Sequence, residues 1–171
     1  LFRSRSVDAQ AMALSEKWLQ GVSDLSEARA LVVESREFEL KHSRTDDRSY
    51  HAEYEEKMAE AAKALGSLAE GYQARMQGEQ EGALVATLVK AWGDYRGAQA
   101  RVVKLGRDGQ QADAADIADG ASSMAFDEAV AALDELVQFN REGAAGAQAD
   151  ARAAYAGANA AVFALLADRK S

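Results

Sequence analysis

The sequence predicts an all-α protein, an antiparallel up-down-up-down four-helix bundle with long first and fourth helices. Three observations carry this. Proline is absent from the 171 residues while alanine occurs 39 times, and alanine is the best helix former as proline is the worst. Four stretches place apolar residues at alternating spacings of four and three, the 3.5-residue period of long helices packed together. Short polar or glycine-bearing breaks separate these stretches, and short connections make consecutive helices antiparallel neighbours.

The first helix runs from the start of the chain to about His42 or Arg44. Its seam is Val7, Ala11, Leu14, Trp18, Val22, Leu25, Ala28 and Val32, widened by Leu31 and Phe38. From Ser43 to Ser49 every residue is polar, with several N-cap candidates and no seam position, so the chain turns there. The second helix carries His51, Tyr54, Met58, Ala61, Leu65, Leu68 and Tyr72. It is expected to stop where Gly-Glu-Gln-Glu-Gly, from Gly78 to Gly82, interrupts the pattern. The third helix has Leu84, Leu88, Ala91, Tyr95, Ala98, Val102 and Leu105 on its seam, flanked by Val85 and Trp92. It ends at Gly106 or Gly109, with the glycine expected after a helix C-terminus. A short helical piece follows from Gln110 to Gly120, then a break near Gly120-Ala121-Ser122-Ser123. Ser122 or Ser123 would cap the fourth helix, with Asp127 and Glu128 in its first turn, where the helix dipole favours negative charge.

The fourth seam is the longest: Phe126, Val130, Leu133, Val137, Asn140, Ala144, Ala147, Ala151, Ala154, Ala158, Ala161 and Leu165, eleven of the twelve apolar. Bulky residues fill its first part and alanines most of the rest. Such a helix is expected to meet several neighbours near its start and one close neighbour near its end. Asn140 could set register, as a buried amide does in coiled coils. The first and fourth helices read as roughly 43 to 48 residues, about 65 to 70 Å at ~1.5 Å per residue, against roughly 25 to 28 residues for the inner two. Both long helices would overhang at the end that holds the termini, the geometry expected if the termini continue into two neighbouring membrane spans. Both ends read as cut, so residues 1–171 are expected to be one domain out of a longer protein.

Composition narrows the function. A formal net charge of −8 with no offsetting basic stripe argues against nucleic acid as a partner and against docking on anionic lipid. The absence of cysteine excludes disulfides and thiolate metal sites. No apolar run reaches the length of a membrane span, and no stretch of these residues reads as a signal peptide. There is no nucleophile with a base, no phosphate-cradling glycine loop and no recognisable pair of catalytic acids, so no catalytic residue is assigned and an enzyme is not expected. No cofactor or metal is expected either. Asp108, Asp113, Asp116 and Asp119 lack the spacing of a calcium loop and read as an exposed acidic face. His42 and His51 read as surface residues at a loose turn. The glutamates of the second helix, Glu53, Glu55, Glu56 and Glu60 among them, lack the Glu-x-x-His pairs of a di-iron bundle.

Several local features combine. Tyr95-Arg96-Gly97-Ala98 follows Trp92 in the third helix. Then come Val102-Val103-Lys104-Leu105-Gly106-Arg107-Asp108-Gly109 and an Ala-Asp-rich short helix ending at Gly120. Phe126 leads on to Leu133-Asp134-Glu135-Leu136-Val137 and Asn140-Arg141-Glu142. This anatomy resembles the periplasmic four-helix sensor domain of bacterial methyl-accepting chemotaxis proteins, over nearly the whole chain. The resemblance implies a ligand-binding domain flanked by membrane helices, pairing as a homodimer through the first helix and sensing a small carboxylate-bearing metabolite: an organic, amino or aromatic acid. The same fold in a sensor histidine kinase, or a bundle that binds a partner and no small ligand, are the alternatives.

The resemblance further implies arginines on the far part of the first helix and polar groups near the start of the fourth. Arg29 and Arg36, seven residues apart, correspond roughly to those arginine positions. A guanidinium fork suits a carboxylate because it offers two parallel donors. The plainer reading is a solvated pair bonded to Glu27, Glu34 or Glu39. Ser122, Ser123 and Phe126 stand at the start of the fourth helix, where a hydroxyl or a free backbone N–H could bind an anion, although ordinary capping needs no ligand. Tyr95, Arg96 and Arg101 complete the candidates at the end of the third helix. Tyr95 also fits the core, and the two arginines also fit the surface. Tyr50 and Tyr54 read as core.

Overall fold

The computed structural model describes residues 2–168, with side chains for 16–157 and 160. Four long helices form an all-α up-down-up-down bundle. The first, α1 (Phe2–Arg44), closes with Lys41 and Arg44 in its last turn, where positive charge meets the negative end of the helix dipole. The turn is short because Asp47 caps α2 (Arg48–Gln73): its carboxylate accepts the Ser49 N–H at 2.9 Å.

Helix α2 ends at Gln73, earlier than expected. The Gly78–Gly82 stretch does not terminate α2 but starts α3 (Glu79–Arg107). Gly78, at φ 85°, turns the chain. Glu81, at the third position of α3, reaches back to accept the Gln77 N–H at 2.7 Å and the Tyr72 hydroxyl at 2.8 Å. A glutamate at this place in the first turn is a helix-start signal. Helix α3 ends as expected. Gly109 at φ 77° accompanies N–H bonds from Gln110 to the Leu105 carbonyl (2.9 Å) and from Gly109 to the Gly106 carbonyl (3.1 Å), the paired closure that a left-handed glycine allows.

The expected break at Gly120–Ser123 is absent. Helix α4 (Gln111–Ile117) passes through one π-helical turn (Ala118–Ser122) directly into α5 (Ser123–Asp168). Because the helical ladder continues, with one residue more per turn, neither Ser122 nor Ser123 is an N-cap.

The chain divides into two compact units. Ser23–Val137 holds the larger core. Leu25 and Val32 of α1, Leu65 and Tyr72 of α2, Val85 of α3, and Leu133 and Leu136 of α5 pack in one cluster. Ala91 of α3 meets Ala129 and Ala132 of α5, and Val102 packs with Ala114 and Ala118. The other unit comprises Leu1–Val22 with Gln138–Ser171. There the Trp18 ring stands edge-on to Phe139 at 5.5 Å and fills the space above Gly143, where an added Cβ would lie 2.5 Å from Trp18 Cδ2. Asn140 and Ala147 are buried. The seam residues Val7, Ala11, Leu14, Ala158, Ala161 and Leu165 lie outside the described side chains.

Candidate functional site

On α1 the seam rhythm of Ala28 and Val32 continues through Ser35, Glu39 and His42. These polar residues are all buried. Across from them α3 presents Tyr95 and Gln99, and the π-turn presents Ser122, each at most 2% exposed. A core this polar is tolerated only when its groups satisfy one another, and here most of them do, His42 Nδ1 being an exception.

The Glu39 carboxylate is the centre. Its Oε2 accepts the Tyr95 hydroxyl at 2.7 Å and lies 3.0 Å from Arg36 Nη1, and its Oε1 accepts the Ser122 hydroxyl. Arg36 Nη2 donates to the Ala118 carbonyl in the π-turn at 2.7 Å, and the guanidinium lies 5.7 Å from the Phe126 ring centre. Phe126 meets Tyr95 edge-to-face at 5.8 Å. The Gln99 amide donates to Ser35 Oγ at 2.9 Å and to the Tyr95 hydroxyl oxygen at 3.1 Å, while its own carbonyl accepts from Arg96 Nη1 at 2.6 Å. Burial, reinforced by the charge of Glu39, pushes the Tyr95 hydroxyl well above its ordinary value. Its proton therefore stays in place as a donor. The result is an unbroken path of bonds from Arg96 on α3, through Gln99, Tyr95 and Glu39, to Ser122 in the turn that leads into α5.

Five of the eight candidates, Arg36, Tyr95, Arg96, Ser122 and Phe126, converge here. Three do not. Arg29 is exposed and pairs with Asp134 at 3.3 Å. Arg101 is exposed, and Ser123 is the half-buried first residue of α5. Arg36 does bond to Glu39, but the pair is buried, not solvated, and it joins α1 to the π-turn. Ser35, Gln99 and the central role of Glu39 were not anticipated. The 3-4 spacing carried past Val32 would have found Ser35 and Glu39.

Beside this network, α2 and α3 border an open groove of about 770 Å³. Arg96, Lys104 and Arg107 of α3 face Glu55 and Glu56 of α2 across it, while Asp108 at the end of α3 pairs with Lys104 at 2.6 Å. At the α1–α2 turn the histidines are buried, contrary to a surface reading. His42 and His51 stack at 4.1 Å; His42 Nε2 lies 3.1 Å from Glu55 Oε1, and His51 Nε2 bonds the Thr45 carbonyl at 2.7 Å. Gly106 makes the room, since a Cβ there would lie 2.6 Å from His42 Cε1. Tyr50 is exposed, while Tyr54 stacks between it and Phe38. Asp108, Asp113, Asp116 and Asp119 are exposed as expected. Among the described residues, no group of three or more His, Cys, Asp or Glu is placed to hold a metal ion.

The family described as a four helix bundle sensory module for signal transduction, the sensing part of methyl-accepting chemotaxis proteins, matches residues 1–155. The chain belongs to this family. No curated protein matches it. The four-helix sensory module is an extracytoplasmic part of membrane chemoreceptors. Among the described residues of this one, no helix is long and apolar enough to cross a membrane. A sensory module must connect a surface where ligand arrives to a helix that carries the signal. Here the Arg96-to-Ser122 path links a groove wall to the head of α5.

Proposed function

We propose that this module is the periplasmic domain of an inner-membrane chemoreceptor, pairs as a homodimer through α1, and senses a small carboxylate-bearing metabolite in the groove between α2 and α3. Arg96 would hold the carboxylate. The observation that carries this reading is the 2.6 Å bond from Arg96 to Gln99, the first link of the path to the π-turn. A carboxylate that takes the Arg96 fork offers it two charge-assisted bonds in place of one neutral acceptor. Gln99 is then left to rearrange against Ser35 and Tyr95, and Glu39 passes the change to Ser122. The π-turn has an ordinary α-helical alternative, so it is an element with two discrete states for ligand to bias. The mixed charge of the groove, with Glu56 of α2 opposite the cations of α3, favours an amino acid among the carboxylates.

Calorimetric titration with a panel of amino acids, dicarboxylates and aromatic acids tests this. A binding acid should lose affinity about tenfold or more in Arg96→Ala, keep it in Arg29→Ala, and change hydrogen exchange at Ala118–Ser122. Undiminished binding in Arg96→Ala moves the site out of the groove. Silence across the panel favours a bundle that binds a partner.

A further inference from the structure

The larger unit contains a second cavity, apolar and separate from the groove. It has a volume of about 150 Å³ and lies inside the four-helix core. Leu25 and Val32 of α1, Leu65 of α2, Leu88 and Trp92 of α3, and Leu136 of α5 wall it. Small residues on α2, namely Ala62, Gly66 and Ala69, leave its side towards solvent unblocked; nothing lies within 4 Å of where a Gly66 Cβ would sit.

Two polar groups of the lining are already engaged. Asp24, at the rim, is ion-paired with Arg75. The Tyr72 hydroxyl donates to Glu81 at 2.8 Å, which leaves the body of Tyr72 as the lining. A charged ligand would have to shed its hydration without recompense there, whereas dry apolar cavities of about 150 Å³ take up benzene.

We propose that this cavity is a second ligand site, specific for a small uncharged apolar molecule of about the size of a monocyclic aromatic hydrocarbon. The proposal does not rest on the carboxylate reading, although the two sites are adjacent. Trp92, in the cavity wall, packs against Tyr95 at 5.4 Å, so a filled cavity presses on the residue that holds Glu39. An apolar compound thereby reaches the same network through Trp92.

Toluene is the probe, and Trp92 is the reporter in a Trp18→Phe background, since the chain has two tryptophans. Toluene should raise the melting temperature with dose and change Trp92 emission with the same saturation curve. Gly66→Leu puts a side chain at the mouth, where its Cβ meets nothing within 4 Å, so it should fold normally by circular dichroism and weaken binding about tenfold or more. Ala69→Leu should do the same from the next turn. No shift in melting temperature or emission up to the solubility of toluene overturns the proposal. So does binding that survives both substitutions at full strength, because the molecule is then held elsewhere.

Discussion

The Tyr95 hydroxyl donates to Glu39 Oε2 at 2.7 Å, joining α3 to α1 in a spot that neither side chain shares with solvent. Tyr95→Phe keeps the ring and its contact with Phe126 but withdraws one donor from a buried carboxylate. The expected cost is about 1–3 kcal/mol. Chemical denaturation should show a lower midpoint with an unchanged slope, and an unchanged midpoint would show that the bond contributes nothing.

Arg36→Met should be far more damaging than Arg29→Ala. The first leaves Glu39 buried without its cation, a loss of about 3–5 kcal/mol. The second breaks a pair whose side chains are 51% and 55% exposed, worth about 0–1 kcal/mol. Adding Glu39→Gln to Arg36→Met should recover a good part of the stability, because the uncompensated charge is gone. A double-mutant cycle measures this, and simple additivity would mean that the two residues are not coupled.

His42 predicts a pH response. Burial holds its pKa below the ordinary 6.5, against the raising effect of its bond to Glu55, while His51 and Arg107 lower it further. Protonation would also place a charged N–H at Nδ1, which is buried with no hydrogen-bond partner. With the folded pKa depressed, the unfolded chain binds the proton more readily. The contribution is therefore fully present above 6.5 and is lost as pH falls towards the folded value. Melting temperature should drop as pH falls below the ordinary histidine value of 6.5, and His42→Gln should flatten that slope. Glu55 acts in a lower window. Its bond from Arg107 holds its pKa below the ordinary 4.5, so its stabilising effect is present above 4.5 and is lost as pH falls through the folded value. An identical slope in His42→Gln would assign the pH effect to other groups.

Two glycines in one helix should respond oppositely to alanine. At Gly106 the new methyl would press on His42 Cε1 at 2.6 Å and Nδ1 at 2.8 Å, an overpacking cost of about 1–3 kcal/mol that outweighs the gain in helix propensity. At Gly97 nothing lies within 4 Å, so alanine should stabilise by up to about 1 kcal/mol. Thermal melts of the two variants decide this, and a destabilised Gly97→Ala would contradict the open surroundings of that position.

Much of this architecture was legible because it is local. Leu65, Tyr72, Tyr95, Val102 and Leu133 sit where the 3-4 spacing puts them, and Gly109 ends α3 as a left-handed glycine does. The misreadings share a cause. The Gly78–Gly82 stretch looks like a break because glycine weakens helices, yet Glu81 bonds Gln77 and Tyr72 and makes the stretch a helix start. Ser122 looks like a cap, yet the preceding turn never leaves the helix, and its hydroxyl is needed by Glu39.

The four helices, their lengths and their apolar faces follow from the order of residues, because helix propensity and seam period depend only on near neighbours along the chain. Tertiary structure decided what became of the polar residues on those same faces. Whether Glu39 and His42 are charged surface or satisfied core depends on Tyr95, Ser122 and the space above Gly106, groups brought in from other segments. Burial of a polar side chain is stable only when distant partners arrive to bond it, and no local period records their arrival.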